Sequence, residues 1–212
     1  VQEGRSHEHI RRIRDSGKPL VSIGEVPGLE THVVDFDDQR GSKEATDYLI
    51  GRGHRDIVCL AGPETSLFAR HRVMGFVESL MGHGLPVDEA RTLWAGATFA
   101  NGYEAARQVL RVKRRRPSAL LCFNDLVAIG AYRCACDLGL RIPDDLSVVG
   151  FDDVPLAAVM GPPLTTVATY PGELGKATAG ILLGEFGEET RHGYVRRVTH
   201  PKLIERDSVR AL

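Results

Sequence analysis

The chain has 212 residues, of which 42% are hydrophobic, and a formal net charge of -1. This length provides for one large or two small domains with a substantial apolar core. The small net charge gives no electrostatic attraction for nucleic acid or for an acidic membrane surface. There is no secretory leader and no apolar run long enough to cross a bilayer, so we expect a cytoplasmic protein with no membrane partner.

Short apolar runs alternate along the chain with segments of helical periodicity. The runs predicted to form strands are residues 19–23, 56–60, 92–95, 119–123 and 146–150. Helices are predicted at 9–16, at 102–115 and around two apolar stripes, which are Val73, Phe76, Val77, Leu80 and Met81, and Val127, Ala131, Cys134 and Leu138. This alternation predicts an α/β fold, a doubly wound parallel sheet with helices on both faces.

Polar loops follow three of these predicted strands. In the common strand order 2-1-3-4-5, ligands bind where the order reverses, outside the carboxyl ends of the strands. With 56–60 as the first strand, the loops at 62–72 and 124–125 flank this point, and Asp152 follows the fourth strand. We therefore expect these three loops to meet in one crevice.

Four segments have distinctive sequences, namely ARHRVMGF at 69–76, CFNDLVAIGA at 122–131, VVGFDD at 148–153 and PPLTTV at 162–167. They resemble the lactose-repressor (LacI/GalR) family of transcription regulators, and the similarity extends from about Val33 to Ser208. The resemblance implies a periplasmic-binding-protein-like (type I) fold of two lobes, with the N-terminal lobe incomplete in this chain.

The resemblance also implies how the chain divides. Residues 1–36 and 170–194 match a remnant of the N-terminal lobe, and residues 37–169 and 195–212 match the C-terminal lobe. Family members form homodimers and bind operator DNA through a helix-turn-helix headpiece, which we expect to be missing here. The remnant should leave apolar residues partly exposed or covered by another copy of the chain, among them Ile10, Ile13, Leu20, Val21, Leu174, Ile181 and Leu182.

A sugar is bound by planar groups with several donors, by carboxylates and amides, and by an aromatic face. Arg72, Asn124 and Asp152 carry such groups, and the resemblance places them where sugar-responsive relatives contact the ligand. Phe99 matches a position that often carries a stacking aromatic ring. The alternatives are a structural ion pair for Arg72, a helix cap for Asn124 and plain core packing for Phe99. Asp153 is expected to be structural, because adjacent residues on an extended segment point in opposite directions.

The resemblance implies the effector-binding domain of a transcription regulator. A small carbohydrate bound between the lobes would control operator binding allosterically. The alternative is a sugar-binding protein of a transport system with the same fold. Purine-responsive relatives share the framework, so the identity of the effector stays open.

Catalysis has no support in the sequence, which contains none of the common nucleophile, phosphate-loop or metalloprotease motifs. The four cysteines, Cys59, Cys122, Cys134 and Cys136, lack the paired spacing of a zinc site. We expect buried, small-hydrophobe roles for three of them. No enzyme activity, metal or cofactor is predicted.

Overall fold

The structure is a computed structural model that describes residues 7–112, 116–184 and 193–212. Three stretches that enter the predictions above lie outside the described residues, namely 1–6, the end of the third predicted helix at 113–115, and 185–192.

The described residues form six helices and nine strands. In chain order they are α1 (Glu8–Asp15), β1 (Val21–Ile23), β2 (His32–Phe36), α2 (Asp38–Gly51), β3 (Ile57–Ala61), α3 (Leu67–Gly82), β4 (Thr92–Trp94), α4 (Phe99–Leu110), β5 (Ala119–Cys122), α5 (Asp125–Asp137), β6 (Ser147–Asp152), β7 (Thr165–Ala168), α6 (Pro171–Leu182), β8 (Arg196–Thr199) and β9 (Lys202–Ile204). All five predicted strands are present. Helix α2 and the strands β2, β7, β8 and β9 add to them.

The larger sheet has six strands in the order β4-β3-β5-β6-β7-β9. Its first five strands are parallel, and β9 pairs antiparallel with β7. Counted from β3, the parallel part has the predicted order 2-1-3-4-5, which is therefore confirmed. The carboxyl ends of β3, β5 and β6 consequently lie at one edge of the sheet.

Each face of this sheet is buried by a pair of helices. Val58 and Leu60 of β3 pack in a cluster with α4 and α5, whereas Ile57 and Cys59 pack in a cluster with α2 and α3. The alternation follows from the two-residue period of a strand, which sends successive side chains to opposite faces. The predicted doubly wound arrangement is confirmed.

The helices of each pair touch through glycine. A Cβ atom built on Gly75 of α3 would lie 2.0 Å from the carbonyl oxygen of Gln39 on α2. A Cβ atom on Gly102 of α4 would lie 2.2 Å from the carbonyl oxygen of Val127 on α5. Only residues without a side chain allow the backbones to approach this closely.

The smaller sheet consists of β1, β2 and β8, all parallel. Leu174 and Ile181 of α6 are buried against Val34 of this sheet and Val195. The expectation that these two residues are exposed is wrong, because α6 packs on the face of β2. Ile13 and Leu182 are exposed as expected.

Strand β8 does not pair with the larger sheet. It lies within 195–212, the range that the resemblance places in the C-terminal lobe, but residues Arg196–Thr199 pair with β2 in the smaller sheet. Only after this strand does the chain cross to the larger sheet, where β9 pairs with β7.

Three of the four cysteines are buried in the structure. Cys59, Cys122 and Cys134 are buried and Cys136 is exposed, all with free thiols, so the predicted burial of three cysteines is confirmed. Within the part of the chain that the structure describes, no helix has the length and apolar character required to cross a membrane.

Candidate functional site

Arg72 lies beside the carboxyl ends of β5 and β6, where it contacts Phe123 and Phe151. It is buried on the second turn of α3, a helix that begins after Ser66, whose hydroxyl accepts a hydrogen bond from the Ala69 amide. Its Nε donates to Oδ1 of Asp38 over 2.6 Å, and its Nη1 donates to the carbonyl oxygen of Phe123. These two bonds hold the planar guanidinium in one orientation.

Two aromatic rings enclose the guanidinium. Its central carbon lies 3.5 Å from the centroid of the Phe151 ring and 4.7 Å from that of Phe123. Both distances are within the range in which a cation is attracted to the face of an aromatic ring. The rings therefore orient Arg72 further and keep water from its faces.

Asp38 is the structural partner of Arg72. Its side chain has no exposed area, and its Oδ2 has no hydrogen-bond partner among the described residues. Burial raises the pKa of this carboxyl, and the charge and hydrogen bond of Arg72 oppose the rise. The structural ion pair considered for Arg72 is thus present, but it occupies only one side of the guanidinium.

Asp152 lies on the other side. Its Oδ1 is 3.6 Å from Nη2 of Arg72, and 38% of its side chain is exposed. Desolvation raises the pKa of Asp152 to about 6, while Arg72 lowers it and the nearby carboxylates of Asp125 and Asp38 raise it further. Arg72 and Asp152 together present a donor and an accessible acceptor at the carboxyl end of β6.

Asn124 joins two loops at the same edge of the sheet. Its Oδ1 accepts from the Val127 amide over 2.9 Å and so caps α5, which is the cap considered from the sequence. Its Nδ2 donates to the carbonyl oxygen of Ala97 over 3.1 Å, in the loop that follows β4. One amide hydrogen of Asn124 is left without an acceptor among the described residues.

Phe99 begins α4, two residues after Ala97, and is 44% exposed. The core-packing alternative for Phe99 is wrong, since a core residue is nearly inaccessible to solvent. Its ring is available at the surface beside the loop that Asn124 holds.

Asp153 turns away from Arg72. Its Oδ1 accepts from Nη2 of Arg206 over 2.6 Å, so the structural role expected for Asp153 is confirmed. Four further residues contribute contacts that the sequence patterns do not predict, namely Arg206, Asp38, Phe123 and Phe151. The two phenylalanines stand in the distinctive segments, but nothing local marks Asp38 as a partner of a residue 34 positions away.

Comparison with known proteins identifies the domain family of the chain. Residues 46–209 match the model of a periplasmic binding protein-like domain. The chain is 36% identical over 196 residues to the transcriptional repressor CytR of Escherichia coli K12, an alignment that covers 92% of this chain and 57% of that protein. The chain thus spans little more than half the length of this curated relative.

Solved structures give the same class. A regulatory protein of the LacI family from Chloroflexus aggregans superimposes with a TM-score of 0.88 at 32% identity, covering 99% of this chain and 74% of that one. The transcriptional regulator CelR, in a complex with cellobiose, has a TM-score of 0.89 at 30% identity, with coverages of 98% and 63%. The chain belongs to the LacI family of transcription regulators, and its residues 46–209 match a periplasmic-binding-protein-like domain.

Proposed function

We propose that this chain is the effector-binding part of a transcription regulator, and that its effector is a small carbohydrate bound at Arg72 and Asp152. The observation that carries the proposal is the fixed guanidinium beside an accessible carboxylate at the carboxyl ends of the strands. The relatives are repressors and regulators, which favours this function over a role in transport. We assign no catalytic role.

The chemistry of the site suits a polyhydroxylated ligand. The Nη2 of Arg72 can donate to one hydroxyl oxygen while the carboxylate of Asp152 accepts from a neighbouring hydroxyl group. Asn124 has an amide hydrogen for a further hydroxyl, and the exposed ring of Phe99 can stack on the apolar face of a sugar. We therefore favour a mono- or disaccharide, with or without a phosphate group.

Control of DNA binding belongs to the whole protein. In our proposal the smaller sheet is the remnant of the N-terminal lobe, and the sugar lies between it and the larger sheet. A sugar that binds one lobe arrangement more tightly shifts the population toward it. In a homodimer in the cytoplasm, that shift would alter how the DNA-binding headpieces of the whole regulator meet operator DNA.

A thermal-shift panel tests the ligand class. Mono- and disaccharides including cellobiose, their phosphates, and purine bases and nucleosides are added to the wild-type protein. A sugar at a hundredfold excess over its Kd should stabilise the protein by about 2.7 kcal/mol. For a chain of this size, that raises the melting temperature by about 5–10 °C.

The variant Asp152→Ala should bind the stabilising sugar at least about tenfold more weakly, because it loses charge-assisted hydrogen bonds. Asp145→Ala is the matched control. Asp145 also carries a carboxylate paired with an arginine, Arg141, but it precedes the amino end of β6, whereas the site lies at the carboxyl end. Stabilisation by a purine, with none from any sugar, would overturn the carbohydrate proposal.

A further inference from the structure

Strand β6 ends in a turn whose backbone conformation is unusual. Asp152 has φ 111° and Asp153 has φ 55°, and Tyr170 is the one other non-glycine residue with positive φ among those described. Residues with a Cβ rarely adopt this region, and φ 111° lies beyond the small left-handed well that they tolerate. Two consecutive residues in this state persist only when their surroundings hold them there.

One set of contacts holds the turn from the side of α5. The buried carboxylate of Asp125 accepts from the Val154 amide over 2.8 Å and from the Thr166 hydroxyl over 2.6 Å. One carboxylate thus ties the backbone just after the strained pair to the neighbouring strand β7.

A second set of contacts holds the turn from the side of β7. The Nη2 of Arg206 donates to Oδ1 of Asp153 over 2.6 Å, and its Nη1 donates to the carbonyl oxygen of Leu164 over 2.8 Å. The backbone amide of Arg206 donates to Oγ1 of Thr165 over 3.0 Å. The guanidinium is therefore itself fixed by the residues around the start of β7.

These contacts decide where Asp152 points. If the turn relaxed to an ordinary extended conformation, the directions of the adjacent side chains would change, and the Asp152 carboxylate would leave the face of Arg72. Glycine would adopt the same backbone without strain but would remove the carboxylate.

We propose that Arg206 is a positioning residue of the effector site, which acts through Asp153 to hold the strained turn and direct Asp152 toward Arg72. The inference rests on the proposed function only for the nature of the ligand. The arrangement of Asp152 can be measured without any ligand.

The test is a titration of the Asp152 side-chain carboxyl by ¹³C NMR, assigned with Asp152→Asn. In the wild-type protein, desolvation holds the pKa of Asp152 at about 6, with Arg72, Asp125 and Asp38 as the charged groups that act on it. In Arg206→Lys, the planar group that donates to both Asp153 and the Leu164 carbonyl oxygen is lost, and the Asp152 carboxyl should move into solvent. Its pKa should then fall toward the ordinary value of 3.8.

Asp153→Asn, which keeps the shape of the side chain but weakens the bond to Arg206, should lower the pKa of Asp152 in the same direction. Arg141→Lys is the control, because Arg141 pairs with Asp144 and Asp145 before the opposite end of β6. It should leave the titration of Asp152 unchanged.

The inference would be overturned if the pKa of Asp152 kept its wild-type value in both Arg206→Lys and Asp153→Asn while circular dichroism showed both variants to be folded. If Arg206→Lys does not fold, the isosteric Asp153→Asn alone decides. Failure of every sugar to bind would overturn the proposed function and leave this result standing. The two failures are thus read from separate experiments.

Discussion

Replacement of Arg72 by methionine should destabilise the protein strongly, because it leaves the Asp38 carboxylate buried without its partner. The Asp38 side chain has no exposed area, one of its oxygens already lacks a partner among the described residues, and the other receives the 2.6 Å bond from Arg72. Removing one member of such a buried pair costs about 3–5 kcal/mol. That is a large part of the about 5–15 kcal/mol that stabilises a typical domain.

Urea denaturation at neutral pH measures this effect. With a slope of about 2 kcal/mol per molar urea, the midpoint of Arg72→Met should fall by about 1.5–2.5 M. Arg133→Met is the control, because Arg133 forms its ion pair with Asp137 on the surface of α5, with 64% of its side chain exposed. Loss of such a surface pair should cost no more than about 1 kcal/mol.

The double variant Asp38→Leu/Arg72→Met separates stability from binding. With both charges removed, no buried ion is left uncompensated, and most of the lost stability should return. Binding of the effector should not return with it, since the donor is still missing. If Arg72→Met costs no more than Arg133→Met, the reasoning about the buried pair is refuted.

The close contact between α2 and α3, the raised pKa of Asp152 and the burial of three cysteines each have a measurable consequence. In thermal denaturation, Gly75→Ala should cost at least about 1–3 kcal/mol, because its Cβ would meet the Gln39 carbonyl oxygen at 2.0 Å, whereas Gly82→Ala on the same helix meets nothing within 4 Å and should be neutral or stabilising. The pKa of Asp152 is raised from an ordinary 3.8 to about 6, so the folded protein holds this proton more tightly than the unfolded chain. The resulting contribution to the free energy of unfolding is complete below about pH 4 and is lost as the pH rises through 6. Between pH 4 and 7, the melting temperature of Asp152→Asn minus that of the wild type should therefore increase. A difference that stays constant over this pH range would contradict the prediction. A thiol reagent should label Cys136 rapidly and the other three cysteines only on unfolding, so a second rapidly labelled thiol in the native protein would contradict their burial.

The sequence predicts the central strands β3, β5 and β6 of the larger sheet because they are apolar runs buried on both faces, whereas β7 is equally buried but has two threonines among its four residues. The fully buried segments Ile57–Ala61 and Ala119–Cys122 are continuous apolar runs, and such runs between helical segments are typical of parallel strands. Strand β8 gives no such signal. Three of its four residues are exposed, among them Arg196 and Arg197, and its pairing with β2 depends on backbone atoms from a distant part of the chain.

The candidate site was predictable only in part for a similar physical reason. The positions of Arg72, Asn124 and Asp152 at strand ends follow from local patterns and the parallel order of the strands. The partner of Arg72 depends on how α2 packs against α3, and the bond from Asn124 to Ala97 depends on where the loop after β4 lies. Contacts between distant segments of this kind leave no periodic trace in the sequence.

The proposed function depends on binding of the effector by Asp152 beside Arg72. Isothermal titration calorimetry should compare the wild-type protein and Asp152→Asn, using the sugar that stabilises the wild type most in the thermal-shift panel. We expect an affinity at least about tenfold lower for the variant, since a neutral amide replaces a charged acceptor. Equal affinities for the two proteins, with both fully folded, would contradict it.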